Sequence, residues 1–131
     1  MSKTIVWIED DVDIIGPVVR PLERGGFRIV RLRTAKEVFD NIKKLHEADL
    51  ILLDMLLPDG GSGYELGRYT GLDIFRELKH NHDLSTPVVA LTVVAREEVR
   101  KSLRDLGVAD IIRKPVRPSE LRERIEQVIT P

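Results

Sequence analysis

Cysteine is absent from the 131-residue sequence, which excludes a disulfide framework and a zinc–thiolate site. A reducing compartment is compatible with that absence. An excess of one charge is also missing: 21 basic residues face 22 acidic ones, for a net charge of −1. Non-specific nucleic-acid binding normally shows a basic excess, so direct contact with nucleic acid is not expected. Long apolar runs are lacking as well. The opening MSKTIVWIEDD reaches acid after too few apolar residues for a signal-peptide core, and no run approaches the roughly 20 needed to span a bilayer. What is present is 42% hydrophobic and 33% charged residues, the balance of a folded globular chain. The length suits one domain, expected over 1–131, with its own core. A soluble, cytoplasmic protein without membrane contact is the expectation.

Five short apolar runs mark strands: Ile5–Ile8, Phe27–Leu32, Leu50–Leu53, Val88–Leu91 and Ala109–Ile112. Four lack polar alternation and read as strands buried on both faces. The second, broken by Arg28 and Arg31, reads as nearer an edge. Between and after them lie helical spacings at 12–24, 34–46, 72–79, 96–106 and 119–129. Thr34-Ala-Lys-Glu37 is a capping-box pattern, Gly107 closes the fourth helix, and Pro118 stands just ahead of the fifth. Gly16, Pro17 and Pro21 inside the first predict a late start or a bend. Strands alternating with helices imply parallel pairing and an α/β three-layer sandwich. The glycine-rich stretch 59–70 reads as a long loop.

The chemistry lies at the C-terminal end of each strand. Glu9-Asp10-Asp11 comes after the first, Asp54 after the third, Thr92 after the fourth and Lys114-Pro115 after the fifth. Parallel strands place all of these at one edge, where such sheets carry their functional crevice. Clustered carboxylates raise one another's pKa unless a cation joins them, and sulfur-free oxygen ligation suits Mg²⁺ or Mn²⁺. A lysine and a hydroxyl facing the same place suit the oxygens of a transferring phosphoryl group. An aspartate can itself be the nucleophile, forming an acyl phosphate.

In these features the chain resembles the bacterial response-regulator receiver family. The matching residues are Glu9-Asp10 after an apolar strand, Leu50-Ile-Leu-Leu-Asp54 with Pro58 four on, Thr92 after Pro87-Val-Val-Ala-Leu, and Lys114-Pro115. The resemblance covers nearly the whole chain. It implies a (βα)5 flavodoxin-like, doubly wound parallel sheet of strand order 2-1-3-4-5. It further implies that Asp54 takes a phosphoryl group from a histidine kinase or phosphotransfer protein. Glu9, Asp10, Asp54 and the backbone carbonyl of Leu56 would hold the metal, Lys114 would pair with the phosphoryl oxygens, and Thr92 would swing in to bond one of them. Signalling would then pass to a downstream protein target or a homodimer partner through the face of the fourth helix, fifth strand and fifth helix. Such a domain is a phosphoacceptor and not a turnover enzyme.

Several positions depart from the family pattern. Glu9 stands where an aspartate is more usual. Ile111 replaces an aromatic residue that follows the threonine motion. Leu56 and Val94 occupy the positions flanking the attacking water, and neither can hydrogen-bond it, so slow autodephosphorylation is expected. The glycine of the third helix is Gly71, which leaves 59–70 as an enlarged loop, read as solvated length in preference to a docking surface. Asp11 reads as the cap of the first helix, Trp7 as core, and Thr92 has a second reading as a helix cap. His46, His80 and His82 read as solvated surface. Gly60-Gly61-Ser62-Gly63 lacks the trailing lysine of a phosphate-binding loop. The basic and acidic residues of 96–104 read as a solvated face.

Two other function classes remain open. One is a degenerate receiver serving as a phosphorylation-independent scaffold or dimerisation module. The other is an aspartyl-nucleophile hydrolase of the haloacid-dehalogenase kind, which wants a second aspartate where Leu56 stands. Neither a DNA-binding nor a catalytic output segment is expected within 1–131, so output is expected through contacts.

Overall fold

The computed structural model describes residues 2–94 and 96–130, and of 12–15 the backbone alone. The chain runs β1 (Lys3–Ile8), α1 (Val12–Arg24), β2 (Phe27–Leu32), α2 (Ala35–Phe39), α3 (Ile42–Glu47), β3 (Leu50–Asp54), α4 (Thr70–Asn81), β4 (Val88–Thr92), α5 (Glu97–Asp105), β5 (Asp110–Arg113) and α6 (Pro118–Ile129). Five strands form one sheet in the order β2-β1-β3-β4-β5, every pair parallel.

Helices on both faces divide the core in two. One half packs Val6, Ile8, Ile51 and Leu53 against Leu45, Ile74, Phe75, Leu78 and Leu103. The other packs Ile5, Trp7, Leu52 and Leu91 against Val18, Leu22, Leu121 and Ile125. Alternation along each strand explains this split, since successive side chains point to opposite faces. β3 and β4 are buried at every residue, which is why their sequences show no polar alternation. β2, with Arg28 exposed, lies at an edge as expected. Trp7 is fully buried core.

Several elements differ from the sequence expectation. The helix expected over 34–46 is two helices, α2 and α3, separated at Asp40-Asn41. Thr34 does cap: its Oγ1 accepts from the Glu37 N–H at 3.1 Å. The reciprocal half of the box is displaced, because the Glu37 carboxylate accepts from Arg33 N–H at 2.6 Å. Val38 and Leu45 are buried beneath separate short helices, so one apolar stripe served two elements. The helix expected over 72–79 starts earlier, at Thr70, and Pro118 is the first residue of α6 rather than its forerunner. α1 spans Val12–Arg24 without a late start, holding both Pro17 and Pro21. Gly107 follows α5 at φ +83°, the left-handed turn that favours glycine.

The 59–70 stretch is largely exposed, as expected, but it is also anchored to α2. Tyr64 stacks on Phe39 of α2 with ring centroids 4.0 Å apart. Backbone carbonyls of Pro58 and Asp59 accept from Ala35 and Lys36 at 3.0 and 2.9 Å. His82, expected in solvent, is half-buried and lies beside Phe39, while His46 and His80 are exposed.

Candidate functional site

Side chains at alternate positions of adjacent strands share a face, and this brings the charged residues together. Register pairs Ile8 with Leu53, so Glu9 and Asp54 emerge side by side at the C-terminal ends of β1 and β3. The backbone continues the ladder past β1, with Glu9 N–H donating to Leu32 O at 2.9 Å. Lys114 follows β5, and its N–H donates to Thr92 O at 2.9 Å. The Lys114–Pro115 peptide is cis.

Glu9, Asp54, Thr92 and Lys114 are all buried, at 1%, 5%, 1% and 8% exposure, whereas Asp10 is exposed. Lys114 Nζ donates to Glu9 Oε1 at 2.6 Å and lies 3.3 Å from Asp54 Oδ2. One ammonium thus bridges two buried carboxylates. A third carboxylate joins them: one oxygen each from Glu9, Asp10 and Asp54 lie within 4.8 Å of one another.

One cation cannot neutralise this group. Burial, followed by the contact with Asp54 and its negative charge, pushes the Glu9 carboxyl up to about 7, although Lys114 pulls the other way. Burial pulls the Lys114 ammonium down, but its hydrogen bond to Glu9 and the charge of Asp54 outweigh this and leave it raised. Among the described residues Glu9 Oε2 is buried without a hydrogen-bond partner, a costly state for a carboxylate oxygen. An oxygen-only donor set with an unsatisfied buried acceptor fits a hard divalent cation, of the Mg²⁺ or Mn²⁺ kind.

The remaining predicted residues fall on the turns after β1, β3 and β4 and on β5. Leu56 N–H donates to Asp54 Oδ1 at 3.3 Å, and its side chain is 41% exposed. Thr92 Oγ1 accepts from Val94 N–H at 2.9 Å. It therefore closes its own turn and does not cap α5, whose N-cap is Arg96 without a side-chain bond. Val94 is half-buried against the first core half. Ile111 is half-buried against the same half, with its carbonyl accepting from Arg124 at 3.2 Å. Asp11 directly precedes α1. An apolar groove of about 350 Å³ opens beside Lys114, lined by Trp7, Val18, Leu91, Val93 and Val116.

Sequence reasoning missed Thr70. Its hydroxyl donates to Leu57 O at 2.7 Å and accepts from Leu57 N–H at 2.8 Å, pinning the turn after Asp54. The available signal was a threonine just before Gly71. At Gly71 itself an added Cβ would stand 2.0 Å from Asp54 O and 2.6 Å from Met55 Cα, so α4 packs on the acidic turn through a residue with no side chain.

Comparison with known proteins agrees with this geometry. Residues 5–126 match the response regulator receiver domain family. The phosphate regulon transcriptional regulatory protein PhoB of Klebsiella pneumoniae is 35% identical over 131 residues, covering 98% of this chain and 52% of that protein. The transcriptional regulatory protein CrdR of Helicobacter pylori is 28% identical over 127 residues, covering 97% and 55%. Among solved structures, the non-phosphorylated HemR receiver domain of Leptospira biflexa superposes with a TM-score of 0.80. It is 30% identical, with 99% of this chain and 96% of that one covered. The chain belongs to the response regulator receiver domain family of two-component signalling. It spans about half the length of the curated relatives it matches.

Proposed function

We propose that this domain is a phosphoacceptor switch in which Asp54 takes a phosphoryl group from a phosphohistidine of a histidine kinase or phosphotransfer protein. The single observation that carries this reading is the buried Asp54 carboxylate beside Lys114 Nζ at 3.3 Å, within ligand distance of Glu9 and Asp10. Such a cluster is costly to build without a use for it.

An Asp54 carboxylate oxygen attacks the phosphorus, the P–N bond to the donor imidazole breaks, and that nitrogen keeps the electron pair and takes a proton from solvent. A divalent cation, when bound, supplies positive charge to the phosphoryl oxygens. Glu9, Asp10, Asp54 and the Leu56 carbonyl would hold it. Lys114 turns its ammonium from Glu9 to the transferred group, and the Thr92 hydroxyl, which accepts from Val94 N–H, donates to a phosphoryl oxygen. The protein cycles once per phosphoryl group and is not a turnover enzyme. The apolar groove beside Lys114 suits the phosphodonor protein, and a target or second copy meets the α5–β5–α6 face. A kinase-linked role of this kind belongs in the cytoplasm.

Ile111, half-buried against the core where the family has an aromatic residue, favours a second reading in which the domain is a phosphorylation-independent scaffold. Intact-mass measurement after incubation with acetyl phosphate and Mg²⁺ separates the two. Wild type is expected to gain one phosphoryl group and Asp54→Ala none. No gain in wild type leaves the scaffold.

A further inference from the structure

Helix α2 has five residues, Ala35–Phe39, too few to be stable by itself in water. Its first N–H groups have no partner within the helix, and the acidic turn supplies several. Ala35 and Lys36 donate to the carbonyls of Pro58 and Asp59 at 3.0 and 2.9 Å. Gly60 sits against Thr34, where an added Cβ would meet Thr34 Cβ at 2.7 Å. Thr34 in turn caps Glu37. At the other end of the helix Tyr64 covers Phe39, ring centroids 4.0 Å apart at 26°. Residues 58–64 therefore grip α2 at both ends.

The same segment is tied to Asp54. Leu56 N–H donates to Asp54 Oδ1, and Leu57 is pinned through both N–H and C=O to Thr70. The Asp54 carbonyl is backed by Gly71 with no space between. On the α4 side the Asp54 carbonyl has no room to move, and past Leu57 the chain runs on to the two carbonyls that hold the start of α2.

We propose that residues 54–64 form a strap transmitting the occupancy of Asp54 to α2, so that the state of the site is displayed on the α2–loop surface. This inference rests on the phosphoacceptor reading. It assigns the enlarged loop a role and gives the signal an exit that does not depend on Ile111. The two-state element is α2 itself, gripped in one arrangement and loosened in the other.

The test is amide hydrogen exchange of residues 35–41 in the whole chain, with and without Mg²⁺ and beryllofluoride, for wild type and Tyr64→Ala. Fluorine NMR reports separately whether beryllofluoride is bound, with Asp54→Ala as the blank. In wild type, binding is expected to change exchange of the Ala35 to Asn41 amides by about threefold or more. In Tyr64→Ala, which alters a partly exposed loop side chain, the change at Val38 to Asn41 is expected to disappear. Bound fluoride with unchanged exchange in wild type overturns the strap, as does an equal response in Tyr64→Ala. Absence of bound fluoride in wild type overturns the phosphoacceptor reading as well.

Discussion

At Glu9 two demands meet. On the proposed reading the residue is ionised when it holds a cation, yet it is buried beside Asp54, and its pKa rises to about 7. A carboxyl that titrates at 4.5 in the unfolded chain and about 7 in the folded one keeps its proton longer in the native state. Its contribution to stability is full below about pH 4.5, declines as pH rises through that window, and is lost above about pH 7. Urea denaturation in chelator, at pH 4.5 to 8, should show wild type losing stability relative to Glu9→Gln as pH rises. A difference that stays flat or runs the other way contradicts this picture of Glu9. Leu56 makes a separate prediction. With an exposed aliphatic chain beside Asp54, Leu56 offers an attacking water no hydrogen bond. Leu56→Asn is expected to speed loss of the phosphoryl group by about tenfold, or about 1.4 kcal/mol of barrier, followed by intact mass against time. An unchanged decay rate excludes the idea. Glu9 was legible in the sequence because it stands at a strand end, and Leu56 through the family resemblance. The preference of Lys114 for Glu9 over Asp54, at 2.6 against 3.3 Å, was not legible. It depends on side-chain reach across three strands.

At the scale of elements, the acidic turn is held by the start of α4. Gly71 N–H donates to Met55 O at 3.0 Å, and only a residue without Cβ permits that approach. Gly71→Ala is expected to cost about 1–3 kcal/mol in urea denaturation and to weaken Mg²⁺ binding by displacing Asp54. Wild-type stability and Mg²⁺ affinity in this variant would refute the packing argument. The glycine was visible in the sequence, but not its contact with Asp54, because that contact joins residues far apart in the chain. The division of the 34–46 segment into α2 and α3 was hidden for a related reason. Val38, Ile42 and Leu45 keep helical spacing across a break at Asp40-Asn41. Periodicity records which side chains face the core, not whether the backbone stays wound between them. The loop is as exposed as its glycine content suggests, but its anchoring was not legible. The Tyr64 stack on Phe39 and the bonds from Ala35 and Lys36 to the carbonyls of Pro58 and Asp59 join residues far apart in the chain.

For the whole molecule, alternating buried strands and amphipathic helices made the parallel α/β architecture legible, and burial of β3 and β4 throughout is its physical counterpart. Strand order was not readable from periodicity, which says nothing about which strand lies beside which. It followed from the family resemblance and is what the structure has. On the α5 surface the charges are paired, Arg96 with Glu98, Arg104 with Glu97 and Lys101 with Asp105. The sheet, its helices and the strand-end residues all converge on one carboxylate, and its chemistry can be read directly. An acyl phosphate on Asp54 is reduced by borohydride to homoserine, whereas a free carboxylate is not. Peptide mapping of wild type treated with acetyl phosphate, Mg²⁺ and then borohydride should find homoserine at residue 54 and aspartate at residues 10 and 11. Homoserine at another aspartate, or none anywhere while a phosphoryl mass is present, contradicts the assignment of Asp54.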